Sequence, residues 1–246
     1  MKYEKVRYLN FGDRAIIAEF GDEISTEISA KVRSLYVAIM ESKLPGIVSL
    51  VPTYRSLMVE YSPLETSHAE VLAAMQNLEN NLENMELPKP NILIVPVLYG
   101  GEGGPDLTTV MEKNGLSAEE VIAIHSGTDY LIYMLGFTPG FPYLGGMDER
   151  LETPRLSSPR VKIAGGTVGI AGKQTGMYSV DSPGGWQLIG HSPIKVYDPY
   201  REKPILYKAG DYIRFVPIGQ DEYDKIAAQV ADGIYEYQLS PMEGGQ

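Results

Sequence analysis

Apolar positions change their spacing along the first third of the chain, and each change predicts an element. RAIIAEF at Arg14 to Phe20 alternates as a strand does. Ile24, Ile28, Val32, Leu35, Tyr36 and Ile39 then recur at helical spacing and line one face, leaving Lys31, Arg33 and Glu41 to water. Leu44-Pro45-Gly46 ends that helix. Two short apolar segments follow, Ile47 to Val51 and Ser56 to Tyr61. The intervening Pro52-Thr53-Tyr54-Arg55 is turn chemistry and predicts a hairpin. Ser67 with Glu70 three residues later is a capping box, and Val71, Met75, Leu78, Leu82 and Met85 form the buried stripe of a second helix.

With a strand at Asn91 to Leu98, the order becomes βαββαβ, the ferredoxin-like pattern in which two helices cover one face of an antiparallel sheet. Pro88-Lys89-Pro90 disfavours helix on both sides and marks the boundary between domains 1–88 and 89–246, although strand 91–98 suits either. Beyond residue 100 glycine and proline interrupt nearly every segment. Helices are predicted at Asp106 to Lys113, stopped by Asn114-Gly115, and at Ser117 to Ile124, where Ser117 and Glu120 make another capping box. Short strands are predicted at Tyr130 to Leu135, Val168 to Ala171, Trp186 to Ile189, Lys195 to Tyr197 and Tyr212 to Val216, a spacing that suggests a closed or nearly closed barrel. A late helix, Asp221 to Ala231, packs on it, and the tail PMEGGQ is expected to be loose. The class is α+β.

Charge narrows the partners. The chain has 246 residues, with 21 Lys and Arg against 32 Asp and Glu, a formal charge of -11. That balance argues against nucleic acid and against anionic membrane, both of which need a basic face. The absence of cysteine removes disulfides and thiolate chemistry. With no run of about 18 apolar residues and no signal-like start, a cytoplasmic location is expected.

Catalytic signatures are sparse. His68, His125 and His191 are not paired at metal-ligand spacing, so no metal site is expected. The run Gly165 to Thr175 fails as a phosphate loop, because Thr167 stands five residues before Gly172 and Gln174 follows Lys173. Its plain reading is a glycine-rich strand and turn in a barrel wall, so any ATP contact there would be of another design.

The dense region is Gly136 to Asp198, with GFTPGFPYLGG, TPR, SPR, IAGGTVGIAGKQTGMY and SPGGWQLIGHSP in succession. Glycine and proline at this density hold loops in set shapes, and shaped loops on a barrel carry sites. Phe137, Phe141, Tyr143, Tyr178 and Trp186 supply apolar walls for a pocket or, alternatively, fill the barrel. Arg155, Arg160, Lys162 and Lys173 suit a carboxylate or phosphate, and Gln174 and Thr175 suit an amide. Arg160, Lys173, Gln174 and Trp186 are expected around one cleft.

These motifs resemble the allophanate hydrolase subunit 1 family, together with FGDRA at Phe11 to Ala15, VPTYRSLMVEY at Val51 to Tyr61, VPVLYGGEGGPDL at Val95 to Leu107 and AIHSG at Ala123 to Gly127. The resemblance spans essentially the whole chain. It implies an N-terminal ferredoxin-like domain and a C-terminal cyclophilin-like β-barrel. It also implies the B subunit of an ATP-dependent 5-oxoprolinase, inactive alone. Its partners would be a homologous subunit 2, the C subunit, and a lactam-utilisation-type protein, the A subunit, acting together on a small amide. ATP then belongs to the complex, with Mg left open. A Kip-type inhibitor of a sensor histidine kinase and half of a biotin-dependent carboxyltransferase acting on urea or a related amide are the alternatives in that family.

Two positions depart from the family's wording: Ala164-Gly165-Gly166-Thr167, and His191 where an Arg commonly follows LIG. At an anion site His191 would act weakly and with pH dependence. His125 is read as a structural residue capping its helix end, with a general-base role as the alternative, and Lys173 is the other weak catalytic candidate.

Overall fold

The computed structural model describes residues 1–82 and 87–242, and the chain divides into the units Met1–Lys89 and Pro90–Gln246. The first unit contains β1 (Lys2–Asn10), β2 (Ala15–Gly21), α1 (Thr26–Ser42), β3 (Ile47–Pro52), β4 (Ser56–Tyr61) and α2 (His68–Glu79). Its antiparallel sheet has the order β1-β2-β4-β3. Alternation turns Ile16, Ala18 and Phe20 of β2 and Leu57, Val59 and Tyr61 of β4 to one face, where they meet Ile28, Val32, Leu35 and Ile39 of α1 and Val71 and Met75 of α2.

Both helices start where their side chains satisfy free amides. Ser25 accepts from the Ile28 N–H, and the Ser67 and Glu70 capping box is complete. Ile24, placed in the helical stripe by its spacing, precedes the helix and is exposed, whereas Met85 lies outside the described residues.

The predicted βαββαβ order does not form in this unit. Its fourth strand is β1, so the order is ββαββα, and the strand at Asn91 joins the second unit. KYEKVRYLN is an edge strand that packs only Val6 and Tyr8 against the core, so its polarity hides it from an apolar count. NILIVPVLY is instead a nearly continuous apolar run, as suits a strand with neighbours on every side.

The second unit runs β5 (Asn91–Tyr99), α3 (Leu107–Asn114), α4 (Ala118–Ser126), β6 (Asp129–Leu135), β7 (Pro142–Gly145), a 3-10 turn (Glu149–Leu151), β8 (Arg160–Ile163), β9 (Thr167–Ala171), β10 (Gln174–Met177), β11 (Ser182–Gly184), β12 (Gln187–His191), β13 (Tyr212–Pro217), α5 (Gln220–Ala231) and β14 (Leu239–Pro241). Strands in the order β10-β9-β12-β5-β13-β6-β7 form a nearly closed barrel, with β10 beside β7 and β14 added to β5. Only the β5 and β13 pairing is parallel. Ile213 and Phe215 of β13 point inward among Leu93, Val95, Tyr130, Ile132 and Ile189. Arg214 between them points outward and grips Asp129 across the strands at 2.6 and 2.7 Å.

The predicted strand at Lys195 to Tyr197 is absent. Ile194 and Val196 are buried in the core instead, and Tyr197 makes a single bridge to Ile205. The short strands β7, β8, β10, β11 and β14 escape prediction because three or four residues, in all but β8 including a Gly or Pro, carry no readable period. Among the described residues no helix is long and apolar enough to cross a membrane.

Candidate functional site

At one side of the barrel Phe141, Tyr178, Trp186, Ile163, Ala171 and Leu188 form a second small core, with Tyr143 packed on it. The rings meet edge to face: Phe141 lies 5.3 Å from Tyr143, 5.8 Å from Tyr178 and 5.7 Å from Trp186, the last at 89°. Such T-shaped contacts are favoured by the ring quadrupoles and hold each ring by its neighbours. The glycines of the region make room for them. A Cβ at Gly176 would lie 3.1 Å from the Trp186 ring, and one at Gly184 would strike the Tyr178 hydroxyl at 2.1 Å.

These rings wall a cleft of about 340 Å³, into which Phe137, Phe141, Tyr143, Arg155, Tyr178 and Trp186 all project, with Pro159 and the Pro183-Gly184-Gly185 segment completing it. Phe137 stands at the rim, 63% exposed, with a positive φ of 61° that is strained for a side chain of its size. The Arg155 guanidinium is also at the rim, 6.0 Å from the centre of the Trp186 ring. Burial pushes the Tyr178 phenol up, opposed by the positive charges of Arg155 and Arg160.

Arg160, Lys173, Gln174 and Trp186 do not surround one cleft; only Trp186 lines this one. Arg160 is turned inward, where its Nη2 reaches both oxygens of Asp106 at 2.7 and 2.9 Å and its Nη1 donates to the Trp186 carbonyl at 3.1 Å. Asp106 in turn accepts from the Leu188 N–H at 2.7 Å. That is why the Asp106 side chain does not cap α3, although it occupies the N-cap position. Lys173 sits in the exposed turn between β9 and β10 and pairs with Glu149 at 3.3 Å. Gln174 is half-buried at the start of β10.

Thr175 and His125 belong to the barrel interior. Tyr99 Oη lies 2.7 Å from His125 Nδ1, and His125 Nε2 lies 2.7 Å from Thr175 Oγ1, which donates to the Gly169 carbonyl at 3.1 Å. Since that carbonyl only accepts, the chain of donors runs from Tyr99 O–H to Nδ1 and from Nε2–H to Thr175. The ring is fully buried, stacked 4.8 Å from Phe215, and burial holds its pKa down at about 3. His125 therefore does not cap its helix with its ring; it is a neutral hydrogen-bonding link inside the barrel.

His191 also lies away from the aromatic cleft. Its Nε2 donates to the Gly165 carbonyl at 3.0 Å and its Nδ1 faces Tyr223 Oη at 2.8 Å, beside a separate cavity of about 450 Å³ under α5. Burial lowers its pKa, against the opposing pull of the Gly165 bond. The glycine run does not suit ATP phosphates. Gly166 N–H donates to Tyr178, Thr167 N–H to Ala164 and Gly172 N–H to Thr153, while β9 is paired on both edges, so these amides are spent on the barrel. Among the described residues no group of three His, Asp or Glu side chains is placed to hold a metal.

A two-unit chain whose second unit is a nearly closed barrel with a shaped aromatic cleft matches a known class. Residues 6–207 fit the carboxyltransferase domain, subdomain C and D, and the chain belongs to that family. Within it, the 5-oxoprolinase B subunit of Bacillus subtilis is 42% identical over 234 residues, covering 89% of this chain and 96% of that protein. Among solved structures, a conserved uncharacterized protein of Pyrococcus horikoshii is 47% identical, with a TM-score of 0.53 over 88% of this chain and 100% of its own. The K. lactis urea amidolyase shares the fold, with a TM-score of 0.76 at 20% identity over 96% of this chain and 16% of that much longer one.

Proposed function

We propose that this chain is the B subunit of an ATP-dependent 5-oxoprolinase complex, which opens 5-oxo-L-proline to L-glutamate together with partner subunits. The observation that carries the reading is the match to the Bacillus subtilis B subunit, which is 42% identical and nearly end to end for both proteins. In this reading the first unit is an α/β domain and the second a cyclophilin-like barrel. The partners are a homologous C subunit and a lactam-utilisation-type A subunit.

The chemistry divides naturally between subunits. A lactam is stabilised by amide resonance, so its carbonyl must be activated before water attacks, and ATP provides that activation in the complex. The glycine run of this chain spends its amides on strand pairing and turns, which favours a partner as the holder of the phosphates. This chain contributes the aromatic cleft, which fits a small ring.

The test is ATP-dependent glutamate release from 5-oxoproline by the reconstituted subunits, with this protein present and then omitted. Activity that depends on this chain is expected. Full activity without it, or none in any combination of folded subunits, refutes the assignment.

A further inference from the structure

We infer that the aromatic cleft takes a small flat ring carrying one carboxylate, with Arg155 as its anion-binding residue. This deepens the proposed function, on which it rests, by assigning the recognition of the substrate's charge to one side chain.

The first observation is a division of labour among the basic residues. The segment from Arg150 to Lys173 carries five basic residues, Arg150, Arg155, Arg160, Lys162 and Lys173. Arg150 is paired with Asp148, Arg160 with Asp106, Lys162 with Asp181 and Lys173 with Glu149. Arg155 alone of these five has no carboxylate partner among the described residues, and it alone projects into the cleft. In a chain of net charge -11, with carboxylates in excess, an unpaired guanidinium at the mouth of a cavity stands out. Its planar fork suits a carboxylate held by two parallel hydrogen bonds.

The second observation is the shape behind it. Trp186 and Phe141 stand at 89° to each other and Tyr178 at 72° to Trp186, which fixes the wall against which a flat ring can lie. The pair Asp106 and Arg160 ties down the Trp186 carbonyl from behind, so the wall is braced by a second arginine whose charge is already matched. An anion at the rim thus meets one uncompensated positive charge, and the ring meets carbon. Rigid walls lose little entropy on binding, which lets one charged contact decide between ligands of equal shape.

Trp186 is the only tryptophan in the chain, so its fluorescence reads the cleft directly. The full-length protein is titrated with 5-oxo-L-proline and with 2-pyrrolidinone, the same lactam ring without its carboxylate. The acid is expected to perturb Trp186 saturably and to bind about tenfold or more tightly than the neutral ring. R155Q is expected to remove that difference while leaving pyrrolidinone binding alone, and K173Q, at a cation outside the cleft, to change neither. In the reconstituted complex R155Q should raise KM by a similar factor with kcat little changed.

An R155Q protein that keeps both the wild-type preference for the acid and the wild-type KM overturns the inference while leaving the oxoprolinase assignment intact. Arg155-dependent binding of the acid in an assembled complex that releases no glutamate does the opposite. If the acid perturbs Trp186 in neither the wild type nor R155Q and the two share one KM, the cleft is not the site.

Discussion

Replacing His125 separates a buried structural imidazole from a catalytic one by its effect on acid stability. The folded ring has a pKa of about 3, because burial opposes its charging. In the unfolded chain it titrates near its usual value of about 6.5. A folded pKa below the unfolded one means that the unfolded chain binds the proton first. The contribution is therefore intact above pH 6.5 and is lost as pH falls towards 3. From pH 7.5 to pH 5 the loss is about 2 kcal/mol, rising to about 4 kcal/mol by pH 3.5.

His125→Gln is the informative change, since a carboxamide can accept from Tyr99 and donate to Thr175 but does not take up a proton in this range. It should cost about 1 to 2 kcal/mol at neutral pH through lost stacking on Phe215 and imperfect hydrogen bonds. Urea unfolding, followed by Trp186 fluorescence at pH 7.5, 6 and 5, measures the difference in pH dependence between the two proteins. His191, half-buried with a lowered pKa in both, cancels in that comparison. The wild type should lose about 2 kcal/mol more than the variant by pH 5. Parallel pH curves would refute the assignment of His125 as a buried neutral link. In the reconstituted complex the variant should retain kcat within a few-fold, whereas a general base would show a loss of orders of magnitude.

Asp106→Ala leaves the Arg160 guanidinium and the Leu188 amide without their carboxylate, in a setting where the Arg160 and Asp106 side chains are only 30% and 12% exposed. About 3 kcal/mol of stability should be lost, roughly 10 °C in Tm by calorimetry, with a changed Trp186 emission; a loss within about 0.5 kcal/mol would contradict the bracing role. Lys173→Ala removes only exposed ion pairs with Glu149 and Glu152, so Tm and complex activity should both be unchanged. A marked loss of turnover in that variant would restore Lys173 as a catalytic candidate.

Local pattern determined a large part of this protein. The capping boxes at Ser67 and Ser117 start helices in the structure, the Ile28, Val32, Leu35 and Ile39 stripe is buried, and the apolar run at Asn91 is a strand. The aromatic and glycine-rich region was legible as a shaped surface from its density of Gly, Pro and aromatic residues, although the cleft itself joins three separated stretches, at Phe137 to Tyr143, Arg155 to Pro159 and Tyr178 to Trp186. What the sequence could not decide was the destination of elements and the partners of charges. Whether the strand at Asn91 completed the first sheet or entered the barrel depended on β13, more than a hundred residues away. A polar edge strand such as β1 gains its place from a neighbour's unpaired backbone rather than from its own side chains. The basic residues from Arg150 to Lys173 looked alike in the sequence, and only folding set Arg160 against Asp106 and left Arg155 facing the cleft. His125 likewise became an interior link through Thr175, fifty residues on. Spacing carries information over one or two turns of chain, whereas burial and charge pairing are settled by contacts that the tertiary fold alone brings together.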